Sequence, residues 1–294
     1  MSDRIIGEKR NVPSSSAKSG MSPISIAGLY VYPVKSCRGT EIEESLLLDT
    51  GLEHDREWMV VTPDGRFLTQ REEPRLALVD VDLDPRRLRL ASTGQGSVEV
   101  SVESRGPSVD VVVWRDRCRA LDEGDVAAGW LSGVLGRAVR LVRFDAAGRR
   151  PCDPAWTGGV AAYSRFADGF PLLAISRASL DDLNARLPRP LPLNRFRPNL
   201  VLDGLPPYGE DRMGDLVAEG LRLRAVKPCT RCRITTTDQQ TAVVDPDEPL
   251  RTLKAYRWNA RLHGIAFGQN VIVVEGAGTT LRRGLELRAA ADFG

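Results

Sequence analysis

Apolar and polar positions alternate from Ile24 onward, and that alternation dominates the first half of the chain. In PISIAGLYVYPVKS, residues 23–36, β-branched and aromatic side chains recur at every second place, which predicts a strand ending in a loop at a Pro and a Lys-Ser pair. ESLLLDT, residues 44–50, predicts another strand. Residues 57–70 carry strand-like runs on either side of Pro63-Asp64-Gly65 and predict a hairpin. ALVDVDL, RLRLAS, SVEVSVE and VDVVVW continue the pattern to Trp114. Helical spacing takes over three times. Residues 123–135 place Val126, Trp130, Leu131 and Val134 on one side and stop at Gly136. Residues 176–187 begin at a capping Ser176 or Ser179 and carry a stripe of Leu180, Leu183 and Leu187, and residues 249–262 open on Pro249. NLVLDG, DLVAEGLRLRAV, RITTTD, TAVVD, NVIVVEG and TTLRRGLELRA predict the remaining strands. About a dozen short strands against three helices, without regular alternation, predict a mixed α/β, β-rich fold of barrels with a few flanking helices.

The Gly- and Pro-rich stretch DAAGRRPCDPAWTGG marks the best domain boundary, and a chain of 294 residues accommodates about two domains. The expected division is a flexible tail over residues 1–22, a first β-barrel domain over 23–146 and a second over 147–294. The tail is polar and Ser-rich, too poor in apolar surface to offset its ordering entropy. Lys and Arg number 41 against 39 Asp and Glu, so no broad field draws the chain to nucleic acid or an anionic membrane. Local basic pockets remain open to it. Five cysteines, an odd number in a chain of this length, suggest reduced thiols and a cytoplasmic protein, and no apolar run is long enough to span a membrane. With only His54 and His263, an all-His metal site is excluded, and any metal must lean on Cys or on a cofactor.

CTRC, residues 229–232, is the one paired-cysteine feature. Such a pair serves as a redox dithiol, half of a zinc site, a single reactive thiolate with a bystander, or two small buried hydrophobes. The β-branched RITTTD that follows favours a strand over a thioredoxin-type helix start, and Lys227, Arg231 and Arg233 favour thiolate. PVKSCRG sets Lys35 and Ser36 at a strand end, suited to a phosphate although without P-loop glycines. Arg56, Arg71 and Arg75 stand among aromatic, acidic and apolar neighbours, as salt-bridge partners or anion clamps do. NRFRPN adds Arg195, Arg197 and two amides, either a polar turn at a domain seam or a second anion cradle.

In order, YPVKSCRG, GLEHDREWMVV, FLTQREEPRLALV, AYSRFADGFPLLAISRASLDDLN, NRFRPNLVLDG, KPCTRCRITTTD and FGQNVIVVEGAG resemble the MOSC-domain family of molybdenum cofactor proteins. The resemblance is to its two-domain branch, which includes the mitochondrial amidoxime reducing component and its bacterial relatives. It implies an N-terminal MOSC β-barrel domain followed by a MOSC barrel, with Mo-molybdopterin between them. It further implies that Cys232 is the protein thiolate on molybdenum and, with Asp238, part of the catalytic set. Lys35, Ser36, Arg56, Arg71, Ser164, Arg197 and Asn199 would contact the cofactor. The implied activity is reduction of small N-hydroxylated compounds: amidoximes, hydroxylamines and N-hydroxylated base analogues. The alternative is a molybdenum cofactor or sulfur carrier in which Cys232 is the acceptor thiol. Two departures shape the expectation. The chain shows neither the ferredoxin-domain cysteines of some bacterial relatives nor the anchor of the mitochondrial ones, so electrons are expected from a separate ferredoxin, flavoprotein or cytochrome b5 type protein, met by a monomer. The DPDTG turn typical of the family reads DQQTA at residues 238–242.

Overall fold

The computed structural model describes residues 23–103 and 106–290, so the tail expected over residues 1–22 lies outside the described residues. Seven strands close a barrel in the order Ile24–Val31, Glu286–Ala290, Asp215–Ala218, Leu221–Thr230, Gly264–Glu275, Leu172–Ser176 and Leu200–Asp203, the last pairing back to the first. All pairings are antiparallel except that of Leu172–Ser176 with Leu200–Asp203. The first strand thus belongs to a barrel otherwise built from residues after 170. Its alternation explains why: Ile24, Ile26, Leu29 and Val31 are buried and join Leu172, Ala174, Leu200, Leu216, Leu223, Val271 and Leu287 in one core.

The intervening residues form smaller sheets. Trp58–Val61, Arg140–Phe144, Asp116–Asp122 and Ser108–Val113 make one, and Asp80–Leu83, Arg87–Ala91 and Ser97–Ser101 make another. Helix Asp125–Leu135 buries Ala127, Leu131 and Leu135 against their shared core and ends at Gly136 in the left-handed region, φ 63°. The β-rich expectation holds, with four helices among the described residues. The fourth, Pro154–Thr157, is a single turn inside the stretch read from sequence as a boundary loop.

Three local expectations are corrected. RITTTD is not a strand: Arg233–Thr236 is a 3₁₀ turn, in which the Thr235 hydroxyl donates to the Cys232 carbonyl and the Thr236 hydroxyl to that of Arg233. Threonine's local side-chain bonds outcompete its strand preference here. TAVVD supplies only a bridge between Thr237 and Val244, with Val243 exposed. The helix read over residues 249–262 spans Leu250–Arg257, with Pro249 at the cap rather than inside the first turn. After it, Trp258 and Asn259 pair with Gly264 and Ile265, because strand Gly264–Glu275 begins immediately after the loop and offers them a partner.

Candidate functional site

Strand Ile24–Val31 delivers the chain to Lys35, whose backbone N–H donates to Trp58 O at 2.8 Å and fixes the loop that follows. Strand Leu221–Thr230 enters the CxxC from the other side, and its 3₁₀ continuation places Cys232 at the turn. Between them lies a cleft of about 150 Å³. Residues 35–71 supply Lys35, Ser36, Arg56, Thr69 and Arg71, and the remaining lining residues come from 167 onward. Six of these lining residues are cations (Lys35, Arg56, Arg71, Arg195, Arg197 and Arg231) and one, Asp168, is a carboxylate. So unbalanced a wall calls for an anion.

The sulfur of Cys232 accepts from Arg71 Nε at 3.3 Å and Nη2 at 3.1 Å. Lys35 is buried, and its ammonium donates to Asp168 Oδ1 at 2.5 Å and to Phe166 O at 2.7 Å. Burial pushes the Lys35 ammonium below its ordinary value, partly offset by Asp168. For Asp168 the desolvation at the cleft is outweighed by the Lys35 charge, and its carboxyl lies well below the usual carboxylate range. Arg56 donates to Asp55 Oδ2 at 2.5 Å, to Asn199 Oδ1 at 3.0 Å and to Arg197 O at 3.1 Å. The guanidinium groups of Arg56 and Arg197 each lie 4.2 Å from the Tyr32 ring centroid, so the aromatic ring is shared by two like charges. Desolvation pushes Arg197 down to about 10. Ser36, Arg56 and Arg197 all occupy the left-handed region, with φ of 69°, 45° and 54°, a cost that concentrates where side chains must be aimed.

Of the nine residues singled out from sequence, Lys35, Ser36, Arg56, Arg71, Arg197, Asn199 and Cys232 line the cleft, and Ser164 and Asp238 do not. Ser164 is buried behind it, accepting from Arg150 Nη1 at 3.3 Å. Asp238 accepts from Arg195 Nη2 at 2.8 Å and from the backbone N–H groups of Gln240 and Thr241, both at 2.9 Å, so it holds a cleft arginine from outside. Asn199 spends its amide on Arg56, Leu173 N and Tyr30 O, which makes it a brace between the walls. Sequence reasoning passed over Tyr32 and Asp168. Both lie inside quoted motifs, and their mixture of aromatic and charged neighbours was the available signal.

An anionic, sulfur-seeking group fits these residues. Arg197 Nη2 and Arg231 Nη2 are buried in the wall without a hydrogen-bond partner, and each is a donor for which an anion would be the natural acceptor. Among the described residues no three His, Cys, Asp or Glu side chains converge to hold a metal ion by themselves. Metal held here would arrive with a group of its own.

A cleft between two β-rich units, walled by arginines and lined by the thiols of Cys229 and Cys232, defines a class of protein suited to an anionic ligand beside a cysteine. The chain belongs to the MOSC family: residues 24–138 match the MOSC N-terminal beta barrel domain and residues 163–288 the MOSC domain. It is 35% identical over 244 residues to mitochondrial amidoxime-reducing component 1 of Mus musculus, covering 79% of this chain and 71% of that protein. It is 34% identical over 274 residues to the Homo sapiens protein of that name, covering 86% of this chain and 80% of that protein. Homo sapiens mitochondrial amidoxime reducing component 2 is 33% identical over 246 residues, 79% and 72%. Among the described residues no helix is long and apolar enough to cross a membrane.

Proposed function

We propose that this protein reduces N-hydroxylated compounds, with Mo-molybdopterin held in the cleft through Cys232. The observation that carries the reading is the Cys232 sulfur facing a cleft whose other walls present Lys35, Arg56, Arg197 and Arg231, two of them with unspent donors. A thiolate is the ligand type that suits molybdenum, and the guanidinium groups suit a pterin phosphate. When bound, the cofactor supplies a two-electron centre able to take an oxygen atom from an N–O bond. Overall, an amidoxime with two electrons and two protons gives the amidine and water.

The chain's own residues do the rest. Arg71 orients the sulfur, Lys35 and Asp168 set a fixed charge pair beside it, and Arg56 with Asn199 locks the two walls together. Electrons come from a separate ferredoxin, flavoprotein or cytochrome b5 type protein.

The test is molybdenum content and pterin fluorescence on protein from a cofactor-competent host. We expect stoichiometric metal, lost in Cys232→Ser and kept in Cys229→Ser, and turnover of benzamidoxime with an artificial donor. Metal retained without turnover would instead support a carrier of cofactor or sulfur. Equal retention in both variants would end the assignment of Cys232.

A further inference from the structure

Strands Ser108–Val113 and Asp116–Asp122 are joined by a two-residue turn, Trp114-Arg115, with Val113 paired to Asp116 across it. Trp114 has φ 59°, and a positive φ at the first central residue of such a turn is ordinarily served by Gly. Placing a bulky aromatic there is costly, so the side chain itself calls for a reason.

The ring is 44% exposed, yet it is engaged on several sides. Phe67 packs against it at 5.0 Å between centroids. The Arg71 guanidinium carbon lies 4.5 Å from its centroid, and its Nε1–H donates to Asp168 Oδ1 at 3.2 Å. Those two partners are the ones that flank the thiol: Arg71 donates twice to Cys232, and Asp168 receives the Lys35 ammonium. Trp114 is therefore where the cysteine arm and the lysine arm of the site meet, on a hairpin that lines no part of the cleft.

We infer that Trp114 is a positioning residue that holds Arg71 on the Cys232 sulfur and Asp168 on Lys35. Stacking restrains the guanidinium plane so that both of its N–H groups point at sulfur, while the indole N–H donates to the same Asp168 oxygen that receives Lys35 and so restrains an otherwise solvent-exposed carboxylate. The inference deepens the reduction reading and rests on it only for its kinetic consequence.

Two variants of the full chain test it. Trp114→Gly suits the positive φ, so the hairpin is retained while stack and indole N–H are both removed. Trp114→Phe keeps the stack and removes the N–H alone. In cofactor-free protein, the proton–nitrogen NMR signal of Arg71 Nε–H, assigned by its loss in Arg71→Lys, is expected to be protected from solvent exchange. It should remain protected in Trp114→Phe and be lost in Trp114→Gly. In the loaded enzyme, with benzamidoxime and reduced methyl viologen, Trp114→Gly is expected to lower kcat about tenfold with KM little changed, as misplacement of a positioned group does. Trp114→Phe should fall between it and the parent. Wild-type Arg71 protection or wild-type kcat in Trp114→Gly would overturn the inference. Should that variant melt early, wild-type kcat in Trp114→Phe overturns the Asp168 half. Lost Arg71 protection in a protein whose parent shows no turnover would sink the reduction reading and leave the positioning role standing.

Discussion

Lys35 and Arg56 illustrate how a single side chain serves stability and function in opposite directions. Each is a cation with little water around it, held by a carboxylate neighbour and aimed at a shared cleft. Removing either takes away a partner of the proposed phosphate. Lys35→Ala and Arg56→Ala are each expected to weaken cofactor retention by about 1–3 kcal/mol, read as molybdenum kept after gel filtration. Cys37 and Tyr32 make the alkaline limit predictable. Burial pushes the Cys37 thiol from 9.0 up to about 12 and the Tyr32 hydroxyl from 10.0 to about 12. The unfolded chain therefore releases these protons first, and stability is full below about pH 9 and falls as pH rises toward 12, by about 1.4 kcal/mol per pH unit per group. Urea denaturation as a function of pH should show this loss, with a shallower slope in Cys37→Ala. Cleft residues with a formal charge at a strand end were legible from sequence. Trp114 was not, because it reads as the last residue of a β-run and its use depends on Arg71 and Asp168, 43 and 54 positions away.

At the level of elements, the most informative failure is RITTTD. Its β-branched composition fits a strand, but two threonine hydroxyls bond to carbonyls three residues back and wind the segment into a turn. Alternation and propensity describe what a segment prefers in a sheet. They do not say whether a neighbouring strand is present to receive it. The loop that carries Asp168 depends in turn on Arg150, which is buried and donates to the carbonyls of Arg165, Ala167 and Asp168 and to Asp116. One guanidinium thus fixes the loop whose Phe166 carbonyl and Asp168 carboxylate hold Lys35. Arg150→Met strands these acceptors and is expected to cost about 3 kcal/mol in urea unfolding, with the loop's amides losing protection from hydrogen exchange.

For the whole molecule, the β-rich class followed from alternation, and the positions that alternate did become the buried face of the barrel, as Ile24, Ile26, Leu200 and Leu202 show. The partner of each strand did not follow, since a period of two fixes a face and not a neighbour. Strand Ile24–Val31 lies between Leu200–Asp203 and Glu286–Ala290, so residues 147–294 expressed alone are expected to leave two unsatisfied barrel edges and to aggregate on size-exclusion chromatography. Supplying residues 23–146 on a second chain should restore a soluble complex.

That same interleaving sets a timetable for biosynthesis. The ribosome finishes Ile24–Val31 early but reaches Glu286–Ala290 only about 255 residues later, a wait of roughly 13–50 s at ordinary elongation rates. Throughout that interval a sticky apolar ribbon trails the nascent chain with one of its lifelong companions still unmade, and the cell must shield it until translation ends.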